Sequence, residues 1–327
     1  MSLDHYVSQV HLKNFYSPKL GNLMYAIRKS DLKLFTPNAR SVCRIEEGNT
    51  NACLREDRIV EEFLKRIEPR YNSAVKKLMT GKIDREIIFV IAGFVAYVST
   101  CSPAGMRVLS ESLKPVVEHV SAIIDSRGSL SPPPPELGGK SLTELLQNGT
   151  IRISINPKYP QAIGIQSILL LTASYGNCDW DVLINSFDDS PFFTSDFPIA
   201  IECGSNPDIL NRIVPLAPAI AIRIRPNLSH KREQADFSFS YFRRTIQKLD
   251  RSQVMNINRL IVRCAETTVF FRENYDWVSS FIKKNASFRV ETKSQRVPYK
   301  KGSIMRTTQE ITRMTEQHVP PDRLYSR

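Results

Sequence analysis

The chain has 327 residues, 42% of them apolar and 24% charged, the balance of a globular protein that buries its core without staples, with disorder expected only at the C-terminal end. Six scattered cysteines with no Cys-x-x-Cys pair exclude a clustered zinc site and fit buried free thiols in a reducing cytosol. Residues 1–222 carry 23 basic and 23 acidic side chains and residues 223–327 carry 22 and 10, so the whole net charge of +12 sits in the last third, which points to a polyanion (RNA, DNA or an anionic surface) or to a plain solvated basic face.

The opening from Met1 to Phe15 holds Asp4, His5, His11 and Lys13 without an unbroken apolar stretch, so no signal peptide is expected. Residues 5–15 alternate loosely and predict a strand, paired to a second through Leu23 to Ile27 around a Pro18–Gly21 turn. Leu54 to Met79 predicts a long helix, since Val60, Phe63, Ile67, Tyr71, Ala74 and Leu78 recur at three- and four-residue steps. Pro69 predicts a kink in it, and Gly81 a stop.

Asp84 to Thr100 predicts a helix that is apolar on nearly all sides. Its apolar run, 15 residues from Ile87, falls short of the about 20 that span a bilayer, so a buried helix in a soluble, cytoplasmic protein is expected. Met106 to Asp125 predicts a third helix with Leu109, Leu113, Val116, Val120 and Ile123 inward, stopped by Gly128. Ser131 to Pro135 is a stiff polyproline spacer.

Ser141-Leu-Thr-Glu144 is a capping box for a short helix. Ile151 to Ile155 reads as a strand and Ala162 to Tyr175 as a helix closed by Gly176. Strands follow at Trp180–Ile184, Ile199–Cys203 and Ala219–Ile224. Phe237-Ser-Phe-Ser-Tyr241 alternates like a half-buried strand. Ser252 caps a helix through Ala265, Val269–Phe271 is a strand, and Trp277–Lys284 is a last helix.

The whole reads as an α+β protein, mostly helical in its N-terminal half with a later mixed or antiparallel sheet. Its parts are N-terminal strands plus helical core (1–130), a Pro-rich spacer (131–140), a mixed α/β part packed on the first (141–288) and a basic tail (289–327).

Several segments recur in one order. Asp4 to Phe15 resembles a His-Tyr-Val-Pro-Gln-x-x-Leu-x-x-Phe opening. Ile67-Glu68 looks like an isoleucine–glutamate step in a first long helix. Pro191-Phe-Phe-Thr-Ser-Asp-Phe-Pro198 resembles a Phe-x-Thr-Ser-Asp-Asn-Pro turn, and Pro215-Leu-Ala-Pro218, Asn258 and Ala265 follow in sequence. Together they resemble a microbial family called domain of unknown function 4238. Some members sit in anti-phage gene clusters on mobile elements, so the resemblance implies a defence role. Ser8 replaces the usual proline, Phe197 the usual asparagine, and Cys101 stands where an arginine often precedes Pro103; Arg107 lies one turn on.

Three of these positions are candidates for chemistry. The His5 imidazole can act as base, acid or ligand, or it can be a packing histidine near the terminus. Glu68, seven residues from Glu61 on one helix edge, can bind a cation or close a boundary ion pair. Asp196 offers three oxygen groups with Thr194 and Ser195, suited to Mg²⁺ or Mn²⁺ or simply to satisfying turn amides. If the three converge, metal-assisted phosphodiester hydrolysis is expected, with Glu68 and Asp196 as metal ligands and His5 as base. Phosphate contacts are expected from Arg243, Arg244, Lys283, Lys284, Arg289, Lys293, Arg296, Lys300 and Lys301.

Glu291-Thr-Lys293 is a nuclease-like triplet of a kind that arises often by chance. No Gly-x-Ser-x-Gly, phosphate loop or Gly-x-Gly-x-x-Gly is present, which disfavours serine hydrolysis and ATP use. Two rivals stand beside a nuclease-like effector: a non-catalytic sensor that docks a protein partner, and a small-ligand hydrolase or binder.

Overall fold

Residues 2–81, 83–131, 133–204, 206, 209–228, 235–299 and 302–314 are described by a computed structural model of the chain. It opens with β1 (Leu3–His5), α1 (Gln9–Lys13), β2 (Tyr25–Arg28), β3 (Leu34–Phe35) and β4 (Arg44–Glu46). Where an extended strand was expected over 5–15, the chain leaves β1 and coils. The Ser8 carbonyl accepts from the amides of His11 and Leu12, and His11, Leu12 and Phe15 are buried at helical spacing.

Helix α2 (Val60–Thr80) buries the expected stripe and ends on Gly81, which is left-handed at φ 80°. It runs unbroken through Pro69. Both Pro69 and Lys65, whose carbonyl loses its partner there, face solvent, so water satisfies the freed oxygen. Helix α3 (Arg85–Cys101) is capped by Asp84 and buried on nearly every side. Ser102 then turns the chain by 64° into α4 (Pro103–Ser126). The corner is tight: a Cβ on Gly105 would lie 2.2 Å from the Ser99 carbonyl oxygen. Only the first turns of α4 are buried. Val116, Val120 and Ile123, expected inward, are 43%, 46% and 38% exposed, because α5 reaches only one side of the outer half of the helix, where the Thr143 amide donates to Asp125.

Helix α5 (Leu142–Gln147) carries the expected capping box, with both reciprocal bonds formed. Residues 151–155 form no strand. The helix expected over 162–175 is two, α6 (Lys158–Gln166) and α7 (Ile168–Gly176), divided at Ser167. Strands β5 (Asp179–Ile184), β6 (Thr194–Ser195), β7 (Ala200–Cys203), β8 (Leu210–Ala217), β9 (Ile220–Arg225) and β10 (Arg243–Lys248) follow. Phe237–Tyr241 is a turn, since the Asp236 carboxylate accepts from the amides and hydroxyls of Ser238 and Ser240. Helix α8 (Arg251–Cys264) starts on Asp250 instead of Ser252. The chain continues through β11 (Thr268–Phe271), α9 (Asp276–Asn285), β12 (Phe288–Tyr299) and β13 (Gly302–Arg313).

The five-stranded sheet has the order β10-β5-β9-β8-β7 and is mixed, because β10 runs parallel to β5 while the other pairs are antiparallel. A four-stranded antiparallel sheet has the order β3-β2-β11-β6. Strands β12 and β13 pair as a hairpin where a patternless tail was expected from 289. One continuous core joins the helices to both sheets across the Pro-rich spacer, from Val90 and Phe94 to Trp180, Phe193 and Phe270. Among the described residues no single helix is long and apolar enough to cross a membrane.

Ile91 is fully buried in α3 while Val120 stands in solvent. Ile91→Ala is therefore expected to cost about 2–5 kcal/mol in urea unfolding, and Val120→Ser less than about 0.5 kcal/mol. Equal costs would mean that the outer half of α4 is covered in solution.

Candidate functional site: an internal aspartate turn and an open imidazole

The turn from Pro191 to Pro198 is buried throughout. Asn258 on α8 clamps its start, accepting from the Phe193 amide at 2.9 Å and donating to the Pro191 carbonyl at 2.8 Å. Thr194 and Ser195 then pair with β11 as β6. This delivers Asp196 to the loop before β11. Its Oδ1 accepts from the Glu266 amide at 2.9 Å. Its Oδ2 accepts from the Thr267 amide at 2.7 Å, the Thr267 hydroxyl at 2.5 Å and the Thr268 amide at 3.2 Å.

One donor meets Oδ1 and three converge on Oδ2. Asp196, expected as a metal ligand of the catalytic set, is buried and braces the loop before β11 through these bonds. Among the described residues, no three His, Cys, Asp or Glu side chains are grouped as metal ligands. Burial pushes the Asp196 carboxyl above its usual range, and Glu266 adds to this. The Thr267 hydroxyl and amide and the Lys29 ammonium pull the other way.

His11 holds the other side of the turn. Its Nε2 lies 2.8 Å from Thr194 Oγ1 and its Nδ1 lies 2.8 Å from the Tyr71 hydroxyl. The ring stacks on Phe94 at 4.8 Å between centroids. Full burial drops its pKa to about 3, so it is neutral at pH 7. His11 falls on an unspecified position of the opening motif, and a strand reading hides its inward direction.

Next to Asp196 lies a charged inner layer. Lys29 Nζ donates to the carbonyls of Ala265 at 2.5 Å and Phe288 at 2.6 Å, and burial lowers its pKa to about 8. Arg107 makes a two-pronged contact with Glu266, both arms at 2.8 Å, and also reaches Glu111 and the Val290 carbonyl. Arg107 is thus fixed within the fold. Glu291 of the Glu-x-Lys triplet pairs with Arg289 and lies 3.5 Å from Arg107.

His5 differs. It ends β1, opposite Arg44 on β4, and its carbonyl accepts from the Tyr97 hydroxyl at 2.6 Å. Asp4, just before it, is pinned by Arg58 and the Asn49 amide. The half-buried ring has Nδ1 3.5 Å from the Gln9 amide nitrogen, while Nε2 is buried without a hydrogen bond of good geometry, although the backbone of Arg40 and Ala39 lies close to the ring. Burial lowers its pKa. The backbone of Arg40 and Ala39 and the Glu68 carboxylate oppose this, and Arg44 reinforces it.

The Glu68 charge reaches the His5 ring, and Glu68 is half-buried. The Asp196 charge reaches Cys43, whose carbonyl accepts from the Tyr6 amide.

The basic residues divide. Arg243 and Arg244 are exposed on the edge strand β10, and Lys283 and Lys284 are exposed at the end of α9. Lys293 is exposed with Glu310 at 3.7 Å, and Arg296 is exposed. Arg289 is 5% exposed and paired with Glu291, so the expected phosphate contact there is corrected: burial leaves no face for a phosphate. Lys300 and Lys301 lie outside the described residues.

Between pH 6.5 and 3 the unfolded chain takes up a proton at His11 that the folded chain refuses. Stability is therefore expected to fall as pH drops below 6.5. His11→Gln, which keeps hydrogen bonds without a titrating ring, is expected to flatten the slope of the urea midpoint between pH 6.5 and 4. An unchanged slope would mean that His11 titrates normally.

Neither curated proteins nor solved structures yielded a match. A family model described as "Protein of unknown function (DUF4238)" matches residues 4–274, which take in β1, the helical core, the aspartate turn and β11. The chain belongs to the DUF4238 family.

Proposed function

We propose that the chain acts on nucleic-acid phosphodiesters at His5, with Glu68 tuning the imidazole and Arg40 and Arg44 receiving the phosphate. The observation that carries this reading is the half-buried His5 ring, which lies within range of the Glu68 charge and beside the Arg40 and Ala39 backbone while its Nε2 forms no hydrogen bond of good geometry. A buried polar nitrogen without a partner is costly in a finished fold and economical where a ligand completes it.

The chemistry follows from the ring. With the Gln9 amide donating to Nδ1, the neutral imidazole carries its proton on Nε2 and can donate to a phosphoryl oxygen. With the amide turned end for end, Nε2 accepts and can take the proton of an attacking water as its oxygen bonds to phosphorus, then return that proton to the leaving oxygen as the P–O ester bond breaks. A Mg²⁺ or Mn²⁺ ion, if used, would find one protein carboxylate here, Glu68, with its remaining ligands from phosphate and water. Asp196 keeps a positioning role through Thr194 and His11. Exposed Arg243, Arg244, Lys283, Lys284, Lys293 and Arg296 support salt-dependent binding of the polyanion. Cutting phage or host nucleic acid would give the family resemblance its defence setting.

RNA and DNA, single- and double-stranded, are the substrates to test, with Mg²⁺, with Mn²⁺ and with chelator. His5→Ala is expected to lower the rate by about 10²–10⁴-fold. The rate is expected to rise with pH through a limb below 6.5, as His5 loses its proton. Glu68→Gln removes a charge that favours the imidazolium, so its limb moves to lower pH. No cleavage by the wild type, or equal cleavage by His5→Ala, overturns the catalytic reading; retained salt-dependent binding without cleavage would favour a sensor.

A further inference from the structure

A cavity of about 350 Å³ lies between α4, α6, α7 and the β7–β8 edge of the five-stranded sheet, away from the residues assigned to phosphodiester chemistry. It is at the small end of ligand pockets, which run to about 300–1,000 Å³. Its wall is aliphatic over most of its extent, with Val108, Leu109, Ile163, Ile199 and Ile201 among its residues. Gly164 makes room on one side, where a Cβ would sit 2.5 Å from Thr100 Cγ2.

Two polar groups in this wall lack partners. Thr100 is fully buried and its Oγ1 has none. Arg212 is the sole charged side chain among the described residues of the wall. It stands opposite Ile201 in the β7–β8 ladder, so both side chains leave the same sheet face. Its Nη2 donates to Gln309 Oε1 at 2.9 Å, whereas its Nη1 is buried and unpartnered. Among the described residues no acidic side chain lines the cavity.

A buried guanidinium arm left without an acceptor beside an apolar cavity is costly unless an anion meets it. Arg212 also lines a second, larger and more polar cavity of about 870 Å³, shared along Ser112, Leu171, Tyr175 and Gln309. It thus stands where apolar space gives way to polar space.

We propose that this cavity binds a small amphipathic carboxylate, in chemical class a medium-chain fatty acid. The chain fills the aliphatic space, the carboxylate accepts from Arg212 Nη1, and the Thr100 hydroxyl offers a second polar contact. One guanidinium in a wall whose other described residues are neutral suits a monoanion, whereas a phosphate dianion calls for more donors than this wall supplies.

Calorimetric titration of the full chain with octanoate, octanol and inorganic phosphate tests this. Octanoate is expected to bind one saturable site at least tenfold more tightly than either of the others. Arg212→Met is expected to weaken octanoate at least tenfold and Arg212→Lys less. Leu109→Trp, which fills the apolar space, is expected to abolish binding; thermal melts show whether each variant is folded. Four outcomes each overturn the proposal. Octanoate fails to bind wild type, octanol binds equally, phosphate binds equally, or folded Arg212→Met and Leu109→Trp both bind octanoate as wild type does.

Discussion

The two nitrogens of His11 join segments that are 60 and 183 residues away along the chain, Tyr71 on the long second helix and Thr194 in the aspartate turn. Both contacts are buried, and the ring is also packed on Phe94 and Phe15. A neutral imidazole suits this place because one nitrogen donates and the other accepts, so each hydroxyl partner is satisfied without a charge. Around it the first strand, the helical core and the later sheets assemble. The position of the aspartate turn, and with it the shape of the loop before β11, depends on this junction.

Beneath the junction the protein keeps charges where most proteins keep hydrocarbon. Lys29, Asp196, Arg107, Glu266, Glu111, Arg289 and Glu291 form a connected inner layer in which cations and carboxylates alternate. Such layers contribute less to net stability than their contacts suggest, because each ion loses its water. Their geometric demands, however, are strict. Arg107 fits only if α4, the residue before β11 and β12 lie at fixed distances, so the layer sets the seating of the helices against the sheets.

Much of the architecture was legible from local pattern. The stripe from Val60 to Leu78, the all-round apolar α3, the Ser141 capping box and the strands near 180, 200 and 220 follow from periodicity and cap chemistry alone. What escaped depends on distant neighbours. Val116, Val120 and Ile123 have helical spacing, but α5 reaches only one side of that stretch. The terminal hairpin is built from threonine, lysine and arginine, whose alternation is faint because most of its outer positions face water. At the site, His5 and Glu68 stood out by their place in the motifs. The inward turn of Asp196 did not, since its four donors belong mainly to backbone amides some 70 residues later. Arg40 and Arg44 earn notice only once β4 is laid beside β1.

The terminal hairpin lies past residue 274, where the family match ends. Yet the Phe288 carbonyl receives the Lys29 ammonium, the Val290 carbonyl receives Arg107, and Val290 and Gln309 help wall the apolar cavity. The stretch shared with relatives is therefore not self-sufficient in this chain: its interior cations borrow oxygens from an appendix. Any relative with a different appendix needs other acceptors for the same two cations, and inherits a differently shaped chamber beside them. Inner charge and outer elaboration are in this way bound to vary together.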